Sequence, residues 1–579
     1  MQVKKQKLEL TWIGKENRPR LEPRILLEDP SLSYHAAHRV TKNDIFDNRL
    51  IFGDNLLALK ALEQDFTGRI NCVYIDPPFN TDQAFEHYDD GIEHSVWLSL
   101  MRERLQILHA LLHPSGSIFV HIDDTELGYL IVLMDEIFGR DNRISVITFK
   151  QSSASGPKAV NPGLVTTANF VLYYAKEKTQ WKSFKVFVPT TRDNRYSKYI
   201  QNGHLGFQEW RLVNLRDAFC DNFGATWDDL KARFTDRIEI KLEEFVLANA
   251  RRVVRTARVA LSDVNAEARL ALQQSIDNPG VVFRSERAQK EDYYFLNGEQ
   301  LLFYSSKTRS INGRLRTVTS ATNIWDDLLS NNLHAEGGVT FPNGKKPEAL
   351  IKRILEMSTE RGDLVLDSFA GSGTTGAVAM KMRRRWIMIE LGEHAHTHIV
   401  PRMTRVIDGT DASGVTEAVD WKGGGGFRYY KLAPSLLEKD KWGNWVINKQ
   451  YNAAMLAEAL CKLEGFKYEP SDSIYWQHGR STETDFVYVT TANLSHDQLA
   501  QLSDEVGPNR TLLVLCTAFR AKRDRFQNLT IKKIPRAVLS RCEWGHDDYS
   551  LQVENLPKAP PEPGQQELFG SDDDIAHQV

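Results

Sequence analysis

A chain of 579 residues exceeds the size at which one hydrophobic core usually divides, so two to four domains are expected. Hydrophobic residues at 41% and charged residues at 26% exclude wholesale disorder, and a net charge of −3 excludes a histone-like basic binder, although a local basic surface would still serve nucleic acid. Five cysteines without a CxxC pair, no apolar run of signal-peptide length and no stretch near the roughly 18 apolar residues of a membrane span argue against a disulfide framework, a structural zinc site and a membrane anchor, and imply a cytoplasmic protein.

Residues 1–45, rich in charge and proline, read as an extension that wraps or docks. Alternation then begins, with LIFGD (50–54) and INCVYIDPPF (70–79) as short apolar strands and NLLALKALEQ as the helix between them. Residues 95–112 have apolar side chains at helical spacing and stop at Pro114-Ser115-Gly116. SIFVHID (117–123) predicts a strand, 126–139 a helix and NFVLYYAK (169–176) a further strand. This rhythm predicts an α/β fold, a doubly wound and mostly parallel sheet.

The rhythm breaks over 181–320, which mixes aromatic residues with basic stretches. Arg251, Arg252, Arg255 and Arg258 have the spacing of one helical face, and Lys307, Arg309, Arg314 and Arg316 follow with no acid among them. Either group suits phosphate, and either is equally well read as a solvated face. Strand–helix alternation returns in 347–359, 363–382 and 385–391, so an insertion divides the α/β domain into halves at 46–180 and 321–425. Gly423 to Gly426 read as a linker to a smaller α/β domain over 426–557, and 558–579 as a disordered tail. The histidines at 394, 396 and 398 read as solvated surface, and no metal site is expected.

Two segments carry chemistry. In Asp76-Pro77-Pro78-Phe79, two prolines lack N–H groups, so nearby carbonyls lose ladder partners at the end of a strand. A carboxylate and an aromatic face stand beside them, where open α/β sheets bind ligands. The set suits an NH2 group on a planar ring: two acceptors for its protons and a stacking platform. In LVLDSFAGSGTTG, Asp367 ends a buried strand and glycines at 371, 373 and 376 allow close backbone approach and a tight turn into a helix. Glu390, at the end of the next strand, lies near the offset at which an acid reaches ribose hydroxyls. The loop lacks GKS or GKT, and Phe369 offers an apolar wall, so a cofactor without phosphates fits better than a nucleotide triphosphate or a dinucleotide. Each segment alone is also compatible with an ordinary structural turn.

Together, IDPPFNT and FAGSGTT resemble the catalytic and cofactor motifs of DNA amino-methyltransferases. Their order, catalytic before cofactor and about 290 residues apart, resembles the β-group, whose insertion is the target-recognition domain. IFGDNLLALKAL and FPNGKKPEALIKRIL also resemble family segments, as does Trp325 in IWDDL. The resemblance implies a Rossmann-like methyltransferase domain with permuted motif order. It implies S-adenosyl-L-methionine as cofactor, bound by Asp54, Lys346, Pro347, Asp367, Phe369, Gly371, Gly373, Thr374 and Glu390, and catalysis by Asp76 to Phe79 on a flipped-out base. Aspartate at the first motif position implies adenine N6 rather than cytosine N4. Family members often carry a His-Glu-like pair where this chain has Ala168-Asn169, and Phe79 replaces the commoner tyrosine. Length and the C-terminal region resemble the modification subunit of Type III restriction-modification systems, implying double-stranded DNA, a homodimer and a helicase-nuclease partner. The alternatives are cytosine-N4 methylation, RNA amine methylation, and a DNA-binding specificity subunit whose catalysis is dispensable.

Overall fold

The computed structural model describes residues 9–79, 90–153, 164–288, 291–311, 313–328, 333–341, 345–521 and 525–550. The expected tail over 558–579, Asn80 and Thr81 of the IDPPFNT segment, and Pro342 to Gly344 lie outside these residues. Among the described residues no helix is long and apolar enough to cross a membrane.

One compact unit comprises the described residues of 9–184 and 323–550, and its centre is a large mixed sheet. Across this sheet the strands run Leu26–Glu28, Gly426–Leu432, Asn48–Phe52, Arg385–Glu390, Leu364–Asp367, Ile70–Ile75, Leu112–Ile122, Ala168–Ala175, Arg143–Lys150 and Ile324–Trp325. The five pairings from Gly426–Leu432 to Leu112–Ile122 are parallel, whereas Ala168–Ala175 is antiparallel to both neighbours. Side chains of the middle strands divide between two cores with the period of two that a pleat imposes. Cys72, Tyr74, Val365, Trp386 and Met388 face the helices Glu348–Ser358, Thr374–Lys381 and Val400–Ile407. Val73, Ile75, Leu366, Ile387 and Ile389 face Asn55–Phe66, Asp90–Leu111 and Leu127–Met134. Helices on both faces explain why these strands are near-continuous apolar runs.

Three expectations need correction. Gly423 to Gly426 are not a linker: all four are buried, and Gly426 begins a central strand. Gly423, Gly424 and Gly425 have φ of +94°, +104° and +80°, and a Cβ on Gly423 would meet the Ile407 carbonyl oxygen at 2.8 Å. The boundary at 425/426 therefore cuts through the sheet rather than between domains. Beyond it, residues 467–533 form a five-stranded sheet whose last three strands, Asp485–Leu494, Thr511–Phe519 and Leu529–Lys533, are parallel, but this layer belongs to the same compact unit. Ile25 of the N-terminal extension is buried in its core beside Ala433 and Leu437.

The second compact unit, Lys185–Thr322, contains a six-stranded sheet and a separate three-stranded one. Here Arg251, Arg252, Arg255 and Arg258 do not share a helical face. The helix Ile238–Ala248 ends before them, and Val253–Ala257 is a strand, because β-branched Val253 and Val254 pair with Phe303 and Tyr199 in the sheet. Arg252 donates to the Ile200 carbonyl and lies over Tyr199, and Arg255 lies over Tyr196, so both are engaged structurally.

The glycine turn yields a stability test. Gly423→Ala is expected to lower stability by about 1–3 kcal/mol, since it combines a left-handed backbone with a backbone clash. Urea unfolding of the two chains measures it, and an unchanged midpoint would contradict the tight-turn assignment.

Candidate active site

The carboxyl ends of three neighbouring parallel strands carry Asp76, Asp367 and Glu390. They line one cavity of about 490 Å³ with Asp54, Pro77, Pro78, Phe79, Lys346, Phe369, Gly371 and Thr374. The fold thus brings together residues from the two motifs, as parallel pairing of Leu366 with Val73 requires. Pro347 stands at the start of the helix Glu348–Ser358, and Gly373 at the start of Thr374–Lys381 with φ +77°.

An ion pair joins the two halves inside the cavity. Lys346 Nζ donates to Asp76 Oδ2 at 2.6 Å, although the residues are 270 positions apart, and the same ammonium lies 5.1 Å from the centre of the Phe79 ring. Side-chain exposure is 6% for Lys346 and 19% for Asp76, so the pair is poorly hydrated. Burial raises the Asp76 pKa above the usual carboxylate range, and Lys346 offsets part of that rise. Asp76 Oδ1 is buried without a hydrogen-bond partner among the described residues. The Pro78 carbonyl is occupied, accepting from Trp97 Nε1 at 2.8 Å.

Asp367 is pushed up to about 7, chiefly by burial and further by Asp76 and Glu390, against hydrogen bonds from Thr375 Oγ1 at 2.5 Å and the Phe369 N–H at 2.9 Å. Glu390 accepts from the Gly371 and Gly392 N–H groups at 2.7 and 3.0 Å and pairs with His394 Nε2 at 2.9 Å, so it braces the glycine loop as well as facing the cavity. The histidine run is not simple solvated surface: His394 pairs with Glu390, His396 meets the Tyr429 hydroxyl at 2.9 Å and His398 the Thr340 carbonyl at 3.1 Å.

Sequence reasoning missed the groups behind the cavity wall. His121, in the strand Leu112–Ile122, is fully buried and stacks on Phe79 with ring centres 6.1 Å apart and planes at 21°. Its Nδ1 meets the Tyr74 hydroxyl and its Nε2 the Asn169 amide, each at 3.2 Å. Burial, with Lys346 nearby, drives the His121 pKa well down, which disfavours the charged ring. Asn169, at the position where the family pattern has its His-Glu-like pair, thus supports the Phe79 platform from behind. The signal was a histidine inside an apolar strand, IFVHI.

A second overlooked group lies beneath the glycine loop. Glu348, fully buried, accepts from Lys381 Nζ at 2.7 Å, from an Arg402 guanidinium nitrogen at 2.8 Å and from the Val415 N–H at 3.0 Å. Arg402 also donates to the Ser372 carbonyl at 3.2 Å and Thr374 Oγ1 at 2.8 Å. Thr374 is therefore held from below rather than left to face a ligand freely. Buried ionic networks of this kind fix a loop's conformation at a cost in desolvation, to which Arg402 Nε adds, being buried with no hydrogen-bond partner among the described residues.

Residues 70–401 match the family model described as DNA methylase. A probable type III restriction-modification enzyme, the HindVI Mod subunit of Haemophilus influenzae, is 33% identical over 452 residues, which cover 73% of this chain and 59% of that protein. The type III restriction-modification enzyme EcoP15I Mod subunit of Escherichia coli is 22% identical over 518 residues, covering 76% of this chain and 73% of that one. The type II methyltransferase M.KpnI of Klebsiella pneumoniae is 26% identical over 376 residues, covering 61% and 81%.

The raised Asp367 pKa makes stability depend on pH with a definite sign. The unfolded carboxyl titrates near 3.8 and the folded one at about 7, so the folded state binds the proton more tightly between these values. This group's contribution to stability is present below pH 3.8, falls as pH rises to about 7, and is then level. Asp367→Asn removes that slope. Urea midpoints at pH 5 and pH 8 should differ less in the variant than in the wild-type chain, and an equal difference in both would refute the assignment.

Proposed function

Since the chain belongs to the DNA methylase family, we propose that it transfers a methyl group from S-adenosyl-L-methionine to the N6 amine of adenine in double-stranded DNA. The observation that carries this reading is the Asp76 carboxylate, whose Oδ1 is buried and has no partner among the described residues while Oδ2 is held by Lys346. A base amine is a poor nucleophile because its lone pair is delocalised into the ring. Asp76 Oδ1 and the Pro77 carbonyl accept hydrogen bonds from its two N–H groups, which lets the nitrogen pyramidalise and attack. The carbon–nitrogen bond forms as the methyl–sulfur bond breaks, and Asp76 is placed to take the one proton the nitrogen then loses. Lys346 favours the ionised acceptor, and Phe79, backed by His121, offers a stacking face to a base taken out of the duplex. Orientation and placed acceptors are the protein's contribution.

The cavity fits the cofactor. Its acidic lining, Asp76, Asp367 and Glu390, suits a cationic ligand, its glycine loop admits close backbone approach, and Phe369 supplies an apolar wall. Asp367, Phe369, Gly371 and Glu390 are the residues we assign to holding it, with Thr374 lining the cavity in a position fixed by Arg402 and with Gly373 and Pro347 shaping the helix starts beside it. When bound, S-adenosyl-L-methionine supplies an electrophilic methyl group on a sulfonium.

We assign DNA contact to the hairpin of Thr308–Ile311 and Arg314–Ser320 together with Lys307. Arg309, Arg314 and Arg316 are exposed on it, and Arg309 stands directly opposite Arg316. Facing like charges destabilise a sheet, and phosphate would relieve them. The two Mod-subunit relatives support a further assignment, the modification and specificity subunit of a Type III restriction-modification system, and we propose that it acts as a homodimer with a helicase-nuclease partner. The matched region spans about three fifths of the first relative's length.

Two measurements test this reading. Asp76→Asn should reduce methyl incorporation into duplex DNA at least about a hundredfold while DNA binding persists. Retained turnover would remove Asp76 from the mechanism, and N4-methylcytosine in sequenced DNA would refute the adenine assignment. Arg316→Gln should weaken duplex binding and lower the salt slope by about 1, yet leave Tm unchanged or higher because the facing charge is gone. Unchanged binding would exclude the hairpin.

A further inference from the structure

The expectation that Asp54 faces the cofactor directly meets a structural difficulty. Asp54 is 1% exposed, and both of its oxygens are already engaged. Oδ1 accepts from the Leu57 N–H at 3.0 Å, capping the helix Asn55–Phe66, and Oδ2 accepts from the Tyr549 N–H at 3.0 Å. Tyr549 lies 495 positions further along the chain, and its neighbour Ser550 lines the same cavity as Asp76 and the glycine loop.

Arg104 completes the junction. Buried on the helix Asp90–Leu111, it donates to the Asn55 side-chain oxygen at 2.5 Å and to the Tyr549 carbonyl at 3.0 Å. Asn55 in turn donates to the Ser368 carbonyl at 2.8 Å, at the base of the glycine loop. Polar contacts therefore lead continuously from Tyr549 through Arg104 and Asn55 to the loop. The C-terminal segment is anchored independently of the cavity. Arg24 of the N-terminal extension donates to the His546 carbonyl at 3.1 Å and to Asp547 at 2.5 Å, and the Gly545 N–H donates to Ser435 Oγ at 2.9 Å.

We infer that residues 546–550 form a wall of the cofactor cavity, with Tyr549 and Ser550 as positioning residues, so that cofactor occupancy and order in this segment are linked. Removing the segment would leave Asp54 Oδ2 and the buried Arg104 each short of a partner, which is costly in a dry site. The C-terminal layer thereby has a role in cofactor binding that its distance in sequence conceals. The inference rests on the reading of this cavity as the site of S-adenosyl-L-methionine.

The test uses the full chain and binding measured by calorimetry. Tyr549→Pro removes the N–H that Asp54 accepts, and should loosen S-adenosyl-L-methionine binding by roughly tenfold or more. Ser550→Trp, which places a ring in the cavity without removing any backbone donor, should also loosen it and guards against a folding failure of the proline variant, as judged by Tm. In the wild-type chain, S-adenosylhomocysteine should slow hydrogen exchange over 541–550. Wild-type affinity in both folded variants, or exchange in that segment indifferent to the ligand, would overturn the inference. Failure of the wild-type chain itself to bind S-adenosyl-L-methionine would overturn the reading of the cavity, and the inference with it.

Discussion

A carboxylate at the edge of an apolar sheet loses most of its hydration, and Asp76 recovers part of that loss from one ammonium group 2.6 Å away. The rest of the site depends on this pair. It joins the end of the strand Ile70–Ile75 to the segment leading into the helix Glu348–Ser358, and it orients Asp76 so that one oxygen is bound and the other has no partner among the described residues. A fully satisfied carboxylate would be a structural cap. One with a buried oxygen to spare is an acceptor waiting for a donor, which is the property an amine methyltransferase needs.

Support for this arrangement comes from two buried networks on the sheet face that also packs against the helix Glu348–Ser358. Behind Phe79, His121 with Tyr74 and Asn169 fills the interior with a ring that stacks and hydrogen-bonds at once. Beneath the glycine loop, Glu348 collects Lys381 and Arg402, and Arg402 reaches up to Ser372 and Thr374. The loop is thus held by charges that never meet the cavity. Rigid elements carrying the reactive groups, with packed and hydrogen-bonded groups behind them, limit the reorganisation needed when a ligand arrives.

The acidic character of the cavity has a cost as well as a use. Asp76, Asp367 and Glu390 crowd together, and burial with mutual repulsion keeps the Asp367 proton bound up to about pH 7. A cation placed among them would reverse that balance. The same argument applies to the Arg309–Arg316 pair in the separate unit, where the repelled charges are positive and the fitting partner is an anion. Both places are less stable alone than they need be, and each is complementary to what it is proposed to bind.

The alternation of apolar strands and helices was legible along the chain because each face of the sheet buries every second residue and each helix a stripe. The placement of Asp76, Asp367 and Glu390 at strand ends followed from the same patterning. Local patterns misled where burial was decided elsewhere. The arginines at 251–258 have helical spacing but lie partly in a strand, because Val253 and Val254 pair with partners about fifty residues away on either side. Four consecutive glycines read as a linker, but they are a buried turn with the Ile407, Asp44 and Ile45 atoms packed where side chains would stand. By itself, then, the sequence determined which residue types stand at the edge of a doubly wound sheet and in what order. Only the tertiary structure decided that Lys346 reaches Asp76, that His121 backs Phe79 and that Tyr549 meets Asp54. Periodicity reports how a residue relates to its chain neighbours, whereas these contacts depend on which strands lie side by side.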